Sequence, residues 1–186
     1  IAVGRNKLNM TSKPDSMRMK QAAAAVGQCS LMYLYDKFFG DYDKTVAQIL
    51  LNAEDIEQEE KKENLINTFN ALLEMGVIPI VDENDSVSYK EIESEDRLFG
   101  DNDMLSAVVA VLCRARHLVI LSDIDGFYDH DPRLYPNAKL IEQIDTIDDS
   151  VYALAGGAGS RRGTGGMRTK LQAAALATSQ GTDTIV

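Results

Sequence analysis

The sequence predicts an α/β fold: a three-layer αβα sandwich with a mainly parallel central sheet. Three observations point there. Helix-type and strand-type stretches alternate along the chain, with Gly and Asp/Asn clusters between them. The run "HLVILSD" (117–123) is continuously apolar, the pattern of a strand covered on both faces. The run "DMLSAVVAVLCRA" (103–115) is apolar nearly all round, as a buried helix is.

The elements follow in order. "IAVGRNKL" begins abruptly on apolar residues and reads as a strand or loop cut through. Ala, Met and Leu enrichment predicts a helix over 15–38, ended by Gly40. "TVAQILL" (45–51) is a short β-type run. Between 57 and 75, Leu65, Ile66, Phe69, Leu72 and Leu73 form one apolar helix face, and Gly76 stops the helix. "VIPIV" (77–81) reads as a strand, although Pro79 cannot donate to a sheet ladder. After the 103–115 helix and the 117–123 strand come a strand in "KLIEQI", a short helix in "DDSVYALA", a helix in "MRTKLQAAALATSQ" and a last strand in "TDTIV".

The chain has 186 residues, enough for one domain with a substantial core, so residues 1–186 are read as a single domain. A formal charge of −10 argues against nucleic acid or an anionic membrane surface as partner, since both would be repelled. No apolar stretch approaches the roughly 20 residues of a membrane span. Cys29 and Cys113 lie in separate apolar stretches without ligand-spaced Cys or His partners. They read as small buried hydrophobes in a reducing, cytoplasmic setting. His117 and His130 pair with no Ser or Cys motif, so a triad hydrolase has no support.

In α/β folds ligands sit at the C-terminal ends of strands, which directs attention to three loops. "DENDSVSYKEIESEDRLFGDND" (82–103) is dense in Asp, Asn and Glu and ends on a helix. Asp101, Asn102 and Asp103 sit at that helix start, where capping employs one of them and leaves two side chains for a cleft. "SDIDGFYDHDPR" (122–133) follows the apolar strand, and as a polar connection it needs no function. The third loop, "RRGTGGMRTK" (161–170), ends directly on a helix. Gly165 and Gly166 allow a ligand close to backbone, and the helix start offers N–H donors and a positive dipole end. Lys170, one turn on, could reach the same anion; a turn with a solvated lysine is the bland alternative. The spacing matches neither a Walker A loop nor a dinucleotide fingerprint.

Taken in order, "VDEND", "FGDNDMLSA", "LSDIDGFYDHDPR" and "GTGGMRTKLQAA" resemble the amino-acid kinase family. The likeness is specifically to its bacterial members that phosphorylate the γ-carboxylate of L-glutamate with MgATP, the first committed step of proline synthesis. "IAVGRNKL" and "KQAAAAVGQCSLM" fit the same pattern, so the likeness covers nearly the whole chain. The resemblance implies that Asp85, Asn102 and Asp101 hold glutamate. It implies that Asp103 orients the catalytic lysines and that Lys170 meets the transferred phosphoryl group. Ser122, Asp123 and the stretch Thr164, Gly165, Gly166, Met167, Arg168, Thr169 and Lys170 would hold ATP. Mg²⁺ is implied as cofactor, with no side chain assigned as its direct ligand. Proline as feedback inhibitor and a homo-oligomer, dimer or tetramer, are implied likewise.

Departures from the family pattern accompany the likeness. Relatives usually carry Asn where this chain has Asp82, and "SEDRL" (94–98) resembles a small insertion in the substrate loop. The family's first strand, with its Gly-rich loop and second catalytic lysine, is expected to be missing, as is the RNA-type domain that often follows the kinase. The domain is therefore expected to be truncated at both ends. Two alternatives remain: another carboxylate or carbamate kinase of this fold, such as an acetylglutamate kinase, or a non-catalytic amino-acid-sensing module.

Overall fold

A computed structural model of the chain describes residues 1–87, 102–155 and 166–186. The fold is α/β with parallel strands and helices packed against them, in agreement with the predicted class. The chain separates into two compact units, Ile1–Gly100 and Asp101–Val186.

The first unit opens on helix α1 (Ala2–Lys7), where the sequence had suggested a cut strand or loop. It packs on helix α2 (Met17–Gly40), which buries Ala23, Ala24 and Gly27. Gly4 is buried at this crossing, and a Cβ there would run into the backbone oxygen of Ala23. Small residues on both helices permit that approach. Cys29 lies on the outer side of α2 and is exposed, which corrects its reading as a buried hydrophobe. Cys113 is half-buried, and burial pushes its thiol above the ordinary value.

Strands β1 (Val46–Leu51) and β2 (Ile78–Glu83) pair in parallel, with Val46 opposite Ile78 and Leu51 opposite Glu83. Ile78 and Asn84 both donate to β1, at Thr45 O and Leu51 O, each 2.9 Å away. Alternate residues of a parallel strand face opposite neighbours, so the Pro79 nitrogen points away from β1. The proline is tolerated because its missing donor falls on the edge left open among the described residues.

Two helices connect these strands where one was predicted. In α3 (Ala53–Glu57) the Asp55 carboxylate accepts the Asn52 backbone N–H at 2.8 Å. Gln58 is extended and separates it from α4 (Glu59–Glu74), whose Phe69 is only 1% exposed. Gly76, at φ +71°, closes α4: its N–H reaches Leu73 O at 3.0 Å and that of Val77 reaches Leu72 O at 2.9 Å.

The second unit contains α5 (Asn102–Leu112), β3 (His117–Val119), α6 (Asp149–Ala155), α7 (Met167–Ser179) and β4 (Asp183–Ile185). β3 and β4 are parallel, with His117 opposite Asp183. Ala107 and Ala110 of α5 and Ala173 and Ala177 of α7 form one buried cluster with Leu118 and Ile120. Thr182, 2% exposed, ties the turn before β4 to the turn before β3 by donating to Ala115 O at 2.9 Å.

Two strand predictions are corrected here. The 117–123 run forms a strand only at His117–Val119, and it is buried on one face. Leu118 and Ile120 face the helices, whereas Val119 is 56% and Leu121 91% exposed. Continuous apolarity signalled two covered faces, and the described residues cover one. "KLIEQI" supplies a single antiparallel bridge, Leu140 to Tyr128, and the Lys139 N–H donates to the Asp129 side chain at 2.8 Å, so the ladder does not extend.

Candidate active site

The site grows from two helix starts. Asp103 is the second residue of α5, where a carboxylate suits the positive end of the helix dipole. Its backbone oxygen also accepts the Ser106 hydroxyl at 2.6 Å. Lys170 lies in the first turn of α7, where the same dipole disfavours a cation. The two side chains meet. Lys170 Nζ lies 2.8 Å from Asp103 Oδ2 and 3.1 Å from Oδ1, and the side chains are only 14% and 16% exposed. The carboxylate thus compensates both the desolvation of the ammonium and its unfavourable dipole position.

Packing explains why residues 67 apart in sequence come together. α5 and α7 touch near their starts through this ion pair and further along through the four buried alanines. They therefore run side by side in the same direction. Each helix passes through a tight turn into a strand of the parallel pair β3–β4, so each strand runs back against its helix. The C-terminal end of β3, leading to Ser122 and Asp123, consequently lies at the end where both helices begin. That is where an α/β fold holds ligands.

Gly166 stands at the N-cap of α7 with extended backbone, φ −100° and ψ −177°. Its carbonyl accepts the Thr169 N–H at 3.1 Å and the Thr169 hydroxyl at 2.8 Å. The first-turn N–H groups of such a helix are donors for an anion. An ammonium has three donors, and the contacts to Asp103 engage two. Among the described residues, a third N–H of Lys170 is left to reach a ligand oxygen.

The other predicted residues are placed as follows. Met167 opens α7 half-buried. The Arg168 guanidinium lies 5.7 Å from the centre of the Tyr152 ring on α6. Ser122 and Asp123 are exposed, and Asp123 pairs with Arg133 at 2.9 Å, a surface contact worth little. Asn102 is the exposed first residue of α5. Asp85 belongs to the first unit, in the turn after β2. Asp101, Thr164, Gly165 and the 94–98 segment lie outside the described residues.

Sequence reasoning missed two features. Thr169, assigned to ATP, lies 3.2 Å from Asp103 Oδ2 through its hydroxyl. In the first unit Gln48 donates to Gln28 Oε1 at 2.7 Å, and Gln28 donates to Asp82 Oδ2 at 2.7 Å. The Glu83 N–H occupies the other Asp82 oxygen at 3.0 Å. The available signal was an amide, Gln28, within the small-residue run "AAAAVGQCS", and another, Gln48, within an apolar strand.

Among the described residues no group of three or more His, Cys, Asp or Glu side chains could hold a metal ion. No helix among them is long and apolar enough to cross a membrane.

The family model described as "Amino acid kinase family" matches residues 2–186. Among curated proteins, one named glutamate 5-kinase from Clostridium perfringens (strain 13 / Type A) is 54% identical over all 186 residues, which cover 69% of its length. Proteins of the same name from Caldanaerobacter subterraneus subsp. tengcongensis and Clostridium acetobutylicum are 46% and 48% identical over the whole chain, which covers 49% and 68% of them. The chain thus spans between half and about two thirds of the length of these relatives.

Proposed function

The chain belongs to the amino acid kinase family, and from that premise we propose that it phosphorylates the γ-carboxylate of L-glutamate with ATP. The product is glutamyl 5-phosphate, at the first step of proline biosynthesis. The shared name of relatives at 46–54% identity supports the substrate. The observation that carries the chemistry is the Lys170–Asp103 pair at two adjacent helix starts.

The reaction demands little proton transfer. A carboxyl group with a reference pKa of about 4.3 is already an anionic nucleophile at neutral pH. The obstacle is electrostatic, because an anion must approach a polyanion. N–H donors at the start of α7 and the remaining Lys170 proton fit phosphate oxygens, so the donor set suits a nucleotide triphosphate. In this reading Lys170 stabilises charge on the transferred phosphoryl group, and Asp103 holds the lysine in place. Ser122, Asp123 and the stretch 164–170 bind ATP, while Asp85, Asn102 and Asp101 bind glutamate. Mg²⁺ bound to the nucleotide phosphates would supply positive charge there, with no side chain of this chain assigned to hold it. The protein is further read as a cytoplasmic homo-oligomer, dimer or tetramer, inhibited by proline in competition with glutamate.

The test is a substrate panel on the full-length protein with MgATP and hydroxylamine, which traps an acyl phosphate as a hydroxamate. L-Glutamate should give hydroxamate, with proline raising its apparent KM. Equal turnover of aspartate, carbamate or N-acetylglutamate would overturn the assignment.

A further inference from the structure

We propose that Thr169 is a positioning residue, whose hydroxyl ties the Asp103 carboxylate to the end of the glycine loop and so fixes where Lys170 points. This inference rests on the kinase reading above and goes beyond it, because it moves Thr169 from the nucleotide to the carboxylate.

An ion pair by itself sets a distance but leaves the carboxylate able to turn. Asp103 Oδ2 is approached from two sides, by Lys170 Nζ at 2.8 Å and by Thr169 Oγ1 at 3.2 Å. The same hydroxyl lies 2.8 Å from the carbonyl of Gly166, the N-cap of α7. It carries one proton for two acceptors, so it serves both only as a three-centre bond, shorter to the loop-end carbonyl at 2.8 Å and longer to the carboxylate at 3.2 Å. Thr is also stiff about χ1, and the contact with a carbonyl three residues back is one of its preferred helical arrangements. Displacement of the carboxylate would carry the lysine with it, away from the phosphoryl group that it has to meet.

The comparison is between Thr169→Val, which keeps the branched shape and loses the donor, and Thr169→Ser, which keeps the hydroxyl. In full-length protein Thr169→Val should lower kcat by about 10- to 100-fold, while KM for glutamate and for ATP stays within about threefold. Thr169→Ser should stay within about threefold of the wild type in kcat. A merely structural threonine would not give that split at matched melting temperatures. Wild-type kcat in Thr169→Val, or equal loss in both variants, overturns the inference. A second arm reads the Lys170 ammonium directly in ¹⁵N-lysine spectra, assigned by its absence in Lys170→Met. Its proton exchange should be slow in wild type and Thr169→Ser and fast in Thr169→Val. If wild type fails to phosphorylate glutamate, the kinase reading falls. The inference is then decided by this arm, and unchanged exchange in Thr169→Val overturns it.

Discussion

Lys170 occupies a position that the α7 dipole and partial burial both oppose, and Asp103 makes it tenable. Removing the lysine removes a charge donor used in the transition state. Lys170→Ala should therefore lower kcat by roughly 10²–10⁴ with little change in KM for glutamate. Asp103→Ala strands a mostly buried ammonium, and should destabilise the fold by an amount near the lower end of the roughly 3–5 kcal/mol typical of broken buried pairs. Steady-state kinetics and urea denaturation check the two outcomes; a Lys170→Ala enzyme with normal kcat would make the lysine a bystander. Both residues were legible in the sequence, one at a polar helix start and one after adjacent glycines. Their pairing was implied by the family resemblance and not by spacing, because it spans 67 residues and depends on which helices lie side by side. Thr169 escaped for the same reason: a hydroxyl beside a motif lysine looks like another nucleotide contact until its acceptor is known.

At the scale of elements, helices were more legible than strands. The 57–75 periodicity and Gly76 placed α4 within a residue or two at either end, whereas α3 turns on one local hydrogen bond from the Asn52 N–H to the Asp55 carboxylate. Pro79 was awkward on sequence grounds because a strand's open edge is invisible until its partner is known. The α1–α2 crossing illustrates close packing that composition only hints at. Gly4→Ala would place a methyl against the Ala23 carbonyl group and 2.9 Å from Gly27 N. The helices would have to part, at a cost of about 1–3 kcal/mol, read as a lower denaturation midpoint. An unchanged midpoint would contradict the crossing. The start of α6 makes a pH-dependent prediction. Hydrogen bonds to Asp148 from the Ser150 hydroxyl, at 2.6 Å, and from the Val151 and Ser150 N–H groups hold its carboxyl below the ordinary value of 3.8. A depressed folded-state pKa means that its contribution is present above 3.8 and is lost as pH falls through the lower folded value. Amide exchange at Ser150 and Val151 should quicken in that acid window, relative to the intrinsic rate, and Asp148→Asn should abolish the dependence.

For the molecule as a whole, alternation of helix and strand was enough to give the α/β class, and the parallel pairs β1–β2 and β3–β4 agree with it. Burial was harder to read. The 117–123 run is as apolar as a doubly covered strand, yet Leu121 is 91% exposed among the described residues. Apolar sequence reports a preference for cover and not the identity of what covers it. Of the candidate site, the half that two helix starts build is described, and it joins Asp103, Thr169, Lys170 and Gly166. If this half serves a carboxylate attacking a phosphoryl group, as proposed, the carboxylate oxygen must pass to the phosphate, and isotope transfer reads that. Full-length protein is given MgATP, hydroxylamine and L-glutamate labelled with ¹⁸O in both γ-carboxyl oxygens. Hydroxylamine attacks the acyl carbon of the product and expels phosphate with its bridging oxygen, which came from glutamate. One ¹⁸O should appear in each phosphate released, read by the isotope shift in ³¹P spectra. Unlabelled phosphate would mean that water, and not glutamate, had taken the phosphoryl group.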